Sequence, residues 1–443
     1  MNWASLYKHK FLSVYAPICV LTVAAFFTMS LWLMPLPPSK VTITSGPVDG
    51  MYYSHAQRYA DLLRKHGLEV EVQESAGSGQ NLLRLRDPKS PAQIAFLQGG
   101  FAAMDNAAAG EKRLRLLTIA NVDIEPVWIF SKLKEMDSLQ QLQGMRVSMG
   151  QTDSGSRLVA MHLLDQARLQ PKDLTISGTT GLAAVKALHD GQIDAAIFVA
   201  ATAAPVVRAM LSTPGIHMVH LKRSAALSER IPYLEPRLIA AGMLDAASKQ
   251  PEQDTLLLST IASVVVSEDL HPAIQRLVAA VAMQVHSGAG PFSKAGDFPN
   301  LKHVDFPSST HTRSVMVNGL PWLEQTFSLQ LSQWLWRLLF VGAPLIVLAW
   351  LACHFVPTCI RWMLESHINR WYGELKFIEN DLEVSKIAGL DFSRHHTQLR
   401  AIEVAASHFS APQEFFKRLY ILRNHIDFVR QKLLTKRADN QAA

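Results

Sequence analysis

The chain has 443 residues, 49% of them hydrophobic, a formal net charge of +6 and three cysteines. That length allows two ordinary domains besides any membrane segment. Cys19, Cys353 and Cys359 all lie in or beside apolar spans, which excludes a disulfide framework or a cysteine-based metal site for the middle of the chain. The positive charge is gathered at the two ends and forms no basic stripe, so nucleic acid is not an expected partner.

Residues 11–33 carry no charge and are rich in Val, Leu, Ala and Phe. At 1.5 Å per residue such a helix crosses a hydrocarbon core of roughly 30 Å. A second apolar run, 338–356, is flanked by Trp334, Trp336 and Arg337 on one side and by Arg361 and Trp362 on the other, the aromatic and basic anchors of a membrane interface. Lys8 and Lys10 precede the first span, and from Arg361 onward 13 Lys or Arg stand against 10 Asp or Glu. Between 36 and 336 the count is 27 against 27. This bias predicts two spans in a bacterial inner membrane with both termini cytoplasmic and the middle periplasmic. The expected segments are a cytoplasmic N-terminus 1–10, a span 11–35, a periplasmic domain 36–334, a span 335–357 and a cytoplasmic helical tail 358–443.

The middle repeats a strand, turn, helix order. A β-branched strand at 41–44 leads through the turn 46–50 into a helix on which Tyr52, Ala56, Tyr59 and Leu63 recur at helical spacing. A second strand at 70–73 is followed by a short helix that Pro88 must end. A third occupies 94–97. After the long apolar stretch 114–130 the order restarts: strand 146–149, helix 156–167, strand 174–177, helix 182–189 and strand 193–199. The chain then returns through a β-branched strand at 260–267 and a helix at 274–286. Strands alternating with helices imply parallel pairing with right-handed crossovers. The predicted fold is α/β and two-lobed, with parallel-sheet lobes, lobe 1 from about 40–130 plus 256–310 and lobe 2 from about 131–255. The cleft belongs at the carboxyl ends of the strands.

Several motifs support a resemblance: GMYY at 50–53, ESAGSGQN at 74–81, IAFLQ at 94–98, LQGMRVSMG at 142–150, SGSR at 154–157 and DGQIDA at 190–195. Residues 40 to about 300 resemble the solute-binding receptors of the TAXI subgroup of tripartite ATP-independent periplasmic (TRAP) transporters, and RWYGEL at 370–375 is similar to the tail of membrane-anchored members. The resemblance implies a periplasmic-binding-protein-like fold, a small solute such as an organic acid or amino acid, and a multispan TRAP-type permease as partner. In the first turn Pro47 removes a donor and Asp49 adds a negative charge.

The chemistry expected of the cleft is hydrogen bonding. Helices starting at Met51, Gln80 and Ser156 aim free backbone N–H groups into it, where fixed dipoles favour an anion or polar head group. The expected ligand-binding residues are Gly50, Met51, Tyr52, Tyr53, Gly79, Gln80, Asn81, Gln98, Ser154, Gly155, Ser156, Arg157, Thr179 and Thr180. Tyr52 and Tyr53 are placed to wall the cleft, and Arg157 offers a carboxylate fork. No nucleophile elbow, phosphate-binding loop or metal-ligand spacing occurs, so neither an enzyme nor a cofactor is expected. The pair His395 and His396 falls on the solvated face of a helical tail. In that tail Phe416, Leu419, Leu422, Ile426, Val429 and Leu433 form a stripe that either folds back on the chain or docks a partner. Two functions follow: a membrane-anchored solute receptor, or an assembly protein that keeps the fold without a ligand.

Overall fold

The computed structural model of the chain describes residues 14–102, 114–245, 250–384, 391–409 and 413–442. Two compact units result, one of Leu36–Gln333 and one of the two ends, Met1–Pro35 with Trp334–Ala443.

In the middle unit β1 (Lys40–Thr44), β2 (Glu69–Gln73) and β3 (Ala92–Gln98) are parallel, with β1 between the other two. The helices Met51–Lys65 and Ser78–Arg86 connect them. Ala56, Tyr59, Ala60 and Leu63 bury the inward stripe of the first helix, and Arg64 and Lys65 sit where cations complement its C-terminal dipole. The second lobe repeats the pattern with β5 (Arg146–Ser148), β6 (Thr175–Ser177) and β7 (Ala195–Val199), parallel around β5, and the helices Gly155–Gln166 and Gly181–His189.

Two long strands join the lobes: β4 (Leu116–Ser131) and β10 (Thr255–Ser267). β4 pairs with β10 as far as Pro126, then with β7 from Val127. β10 begins against β9 (Glu235–Ile239) and ends between β3 and β4, while β8 (His217–Met218) borders β4. The expected parallel pairing holds within each lobe, and the long strands add antiparallel pairs to it, β10 with β3 and β4, and β4 with β7. The chain crosses out through β4 and back through β10, so the two must run in opposite senses, and each sheet is mixed. Both strands are buried on nearly every residue, which is why they read as continuous apolar runs instead of alternating ones. The 16 residues of β4 lie in a stretch to which sequence pattern alone gives no element. The helix Pro272–His286 follows β10, with Pro272 in its first turn and His271 Nδ1 accepting from Ala273 N–H.

In the unit formed by the ends, the helix Ala16–Leu33 and the continuous helical stretch Leu329–Val384 are each long and apolar enough to cross a membrane. Phe26 lies where a Cβ on Gly342 would touch it, at the π-helical turn Leu338–Gly342. Arg337 donates through Nε to the Met34 carbonyl at 2.9 Å and stacks over the Trp334 ring, supplying one of the donors that the end of the first helix lacks. The helix Ala343–Val384 runs well past the expected end of the span at 357. Its far part packs Leu364, Ile368, Leu375, Ile378 and Leu382 against Leu419, Leu422, Ile426, Val429 and Leu433 of the helix Phe416–Ala442, so most of the tail stripe is covered by its own chain. Phe416 is the exception and is exposed. His395 is also not on a solvated face: it is buried, with Nε2 3.5 Å from Asp381.

Candidate functional site

A cavity of about 150 Å³ lies between the lobes of the middle unit, where β1, β3, β5 and β7 end. By liquid volume that is room for on the order of five water molecules. Lobe 1 supplies the turn from Pro47 to Tyr52, then Ala76, Gly77, Ser78 and Gln98. Lobe 2 supplies Ser148, Gly150, Ser154, Gly155, Ser156, Thr179, Thr180, Gly181 and Phe198. Glu125, on the crossing strand β4, lines the cavity one residue before the chain leaves the lobe 1 pairing.

Helix starts converge here because each strand hands over to its helix through a glycine-bearing turn. The helices begin at Met51, Ser78 and Gly155, so the second starts two residues before the expected Gln80. Gly77 takes φ +124°, a conformation that suits glycine alone, and brings the Ser78 turn close to Ser154. No side chain caps the helices at Met51, Ser78 or Gly181. Ser154 does cap its own helix, accepting from Arg157 N–H at 3.2 Å.

The strongest electrostatic feature is Glu125. It is 5% exposed, and the Tyr52 hydroxyl donates to its Oε2 at 2.7 Å. Burial pushes its carboxyl up to about 8; the Tyr52 bond opposes the rise, and the Asp123 charge adds to it. Burial also raises Asp123, to about 6, and lifts the Tyr52 hydroxyl well above its usual range. Glu125 therefore carries its proton in much of the population at neutral pH. Asp49, at the exposed rim, is the other acidic residue of the lining. Among the described residues no Lys, Arg or His lines the cavity.

The lobes touch through small residues. Gln98 Nε2 donates to the Gly155 carbonyl at 3.3 Å, and Gln80 N–H donates to the Asp153 carbonyl at 3.2 Å. A Cβ on Gly79 would sit 2.6 Å from that Asp153 oxygen, and one on Gly155 would sit 2.3 Å from Gln98 Oε1. The lobes meet at these points, and the glycines are what let them approach so closely.

Of the residues expected from sequence, Gly50, Met51, Tyr52, Gln98, Ser154, Gly155, Ser156, Thr179 and Thr180 line the cavity. Tyr53, Gly79, Gln80, Asn81 and Arg157 lie outside the lining. Gly79 and Gln80 hold the lobe contact, and the Gln80 side chain folds back to accept from Ala76 N–H at 2.7 Å. Asn81 is fully buried, bonded to the Thr44 hydroxyl and the Phe96 carbonyl, and so braces lobe 1. Arg157 Nη1 is buried without a hydrogen bond. Sequence reasoning missed Glu125, Ser148 and Phe198. Glu125 sits in a stretch that also holds Asn121 and Asp123, and no spacing signal sets it apart from them.

Two mixed α/β lobes joined by crossing strands, with a cleft at the strand ends, make the fold that of a periplasmic-binding-protein-like molecule. The chain belongs to the NMT1-like family, whose profile matches residues 43–303. No curated protein matches it. Similar solved structures include the periplasmic aliphatic sulphonate binding protein SsuA from Escherichia coli, at 15% identity over 56% of this chain and 72% of that one, with a TM-score of 0.34. Another is PhnD1 from Prochlorococcus marinus in complex with methylphosphonate, at 13% identity over 58% of this chain and 88% of that one, with a TM-score of 0.36.

Proposed function

We propose that the protein is a membrane-tethered solute receptor of TAXI type, which closes two lobes on a small polar solute in the periplasm and presents it to a multispan TRAP-type permease. The observation that carries this reading is the cavity itself, bounded by both lobes and by three helix starts without side-chain caps. A pocket shared between lobes that are joined by strands couples ligand binding to hinge motion, because a ligand touching both walls favours the closed state by its differential affinity. Two apolar helices at the ends support tethering, and the excess of Lys and Arg at both termini supports a cytoplasmic position for each.

Native mass spectrometry of the full-length protein released from nanodiscs tests the reading. Wild type is expected to carry a bound small molecule, and Gly79→Val, which cannot close, is expected to have lost it. A ligand-free wild type whose melting point responds to no added solute would favour an assembly protein that keeps the fold without a ligand.

A further inference from the structure

We propose that the solute is an amine, held by its protonated nitrogen against Glu125. This rests on the solute-receptor reading and deepens it. The cavity offers two carboxyl groups, Glu125 and Asp49, and no cationic side chain among the described residues. A carboxylate, sulfonate or phosphonate would have only helix N-termini to meet it, each worth about half an elementary charge, and Glu125 would have to stay protonated beside it. Several hydroxyls are already committed to the fold: Ser78 Oγ accepts from Gln98 N–H at 2.9 Å, Ser156 Oγ accepts from Val199 N–H at 3.0 Å, and Ser148 Oγ donates to the Thr179 carbonyl.

Glu125 is different. Tyr52 donates to one of its oxygens, and no other hydrogen bond reaches the carboxyl among the described residues. A buried acceptor with spare capacity, opening on a cavity, is chemistry that recognises an ammonium group.

The groups facing Glu125 are Tyr52 from the helix Met51–Lys65 and Asp123 from its own strand, with Asp49 across the cavity. None of them can neutralise its charge. Seating an ammonium ion there makes the ionised carboxylate the favoured form, so the Glu125 proton leaves to solvent as the ion pair forms. Because burial holds the free carboxyl up to about 8, affinity should rise with pH by up to about tenfold per unit below that value. An anionic ligand would show the opposite slope.

The test is calorimetric titration of the full-length protein in nanodiscs at pH 6.0, 7.0 and 8.5. One set of probes is propylamine, ethanolamine and putrescine; the other is propionate, succinate and methanesulfonate. The expected result is binding confined to amines, tighter at high pH, and weakened at least tenfold with loss of the pH slope in Glu125→Gln. Tyr52→Phe, which keeps the ring and the carboxyl, should retain the slope, so the inference stays testable if Glu125→Gln does not fold. Binding by the acids alone, weakening as pH rises, would overturn the amine and leave a solute receptor standing. A copurified solute with no amine would do the same. Failure of every probe, with no copurified molecule, would overturn both.

Discussion

The two walls of the cleft are built from different materials. Lobe 1 and its crossing strand contribute Asp49, Tyr52 and Glu125, two acids and a phenol; lobe 2 contributes Ser148, Ser154, Ser156, Thr179 and Thr180, all neutral. The lobe 2 hydroxyls cap a helix, brace β7 or tie the Thr179 turn, whereas Glu125 is anchored by Tyr52 alone. Recognition by charge therefore belongs to one wall, and lobe 2 supplies closure and shape. Glu125 also lies where β4 passes between the two sheets, so a ligand that pulls on it acts at the hinge.

The largest effect should come from preventing the walls from meeting. Gly79→Val places side-chain atoms where the Asp153 carbonyl stands, and that atom is backbone, so the lobes must part. Affinity for any solute of the cleft is expected to fall by at least about 100-fold, a loss of about 2.7 kcal/mol. The melting point should change little, because the open form has no clash. Calorimetry with solution scattering checks both parts.

A smaller effect concerns pH. Folding raises Glu125 to about 8 and Asp123 to about 6, so between their ordinary carboxyl range and these values the folded chain binds more protons than the unfolded one. Stability should fall as pH rises through that window, and Glu125→Gln should remove most of the slope above pH 6. His55 and His286, buried with rings 4.8 Å apart, are held down to about 4 and about 3 by burial. Below about pH 6.5 the unfolded chain binds more protons at these sites, so stability should also drop toward acid. Denaturant midpoints at half-unit pH steps should trace a maximum between the two slopes.

The smallest effect separates the walls most cleanly. Ser154→Ala removes a helix cap and should cost about 1 kcal/mol of stability. Its effect on affinity should stay within about threefold, near the 0.7 kcal/mol this represents. A large affinity loss with unchanged stability would move recognition to lobe 2.

Much of this arrangement is legible in the sequence, for a physical reason. Strands followed by glycine-bearing turns and amphipathic helices announce themselves by period, and they place Gly50, Gly155 and Thr180 at helix starts. β4 and β10 are harder because a strand buried on both faces has no period to read. Glu125 is illegible for the same reason: it sits in such a strand, and its partner Tyr52 is 73 positions away. Asn81 and Arg157 show a different limit. Spacing puts both near the cleft, but side-chain direction is decided by tertiary contacts, which turn Asn81 toward Thr44 and Phe96.

Closure on a ligand is the central claim, and the distance between the lobes measures it directly. With Cys19, Cys353 and Cys359 replaced by Ser, fluorophores can be attached at Lys65→Cys in lobe 1 and Lys172→Cys in lobe 2, both exposed positions. Single-molecule energy transfer on the full chain in nanodiscs should then show a mixture of separations without solute, collapsing to the shorter one at saturation. An identical distribution with and without a solute known to bind would contradict the account.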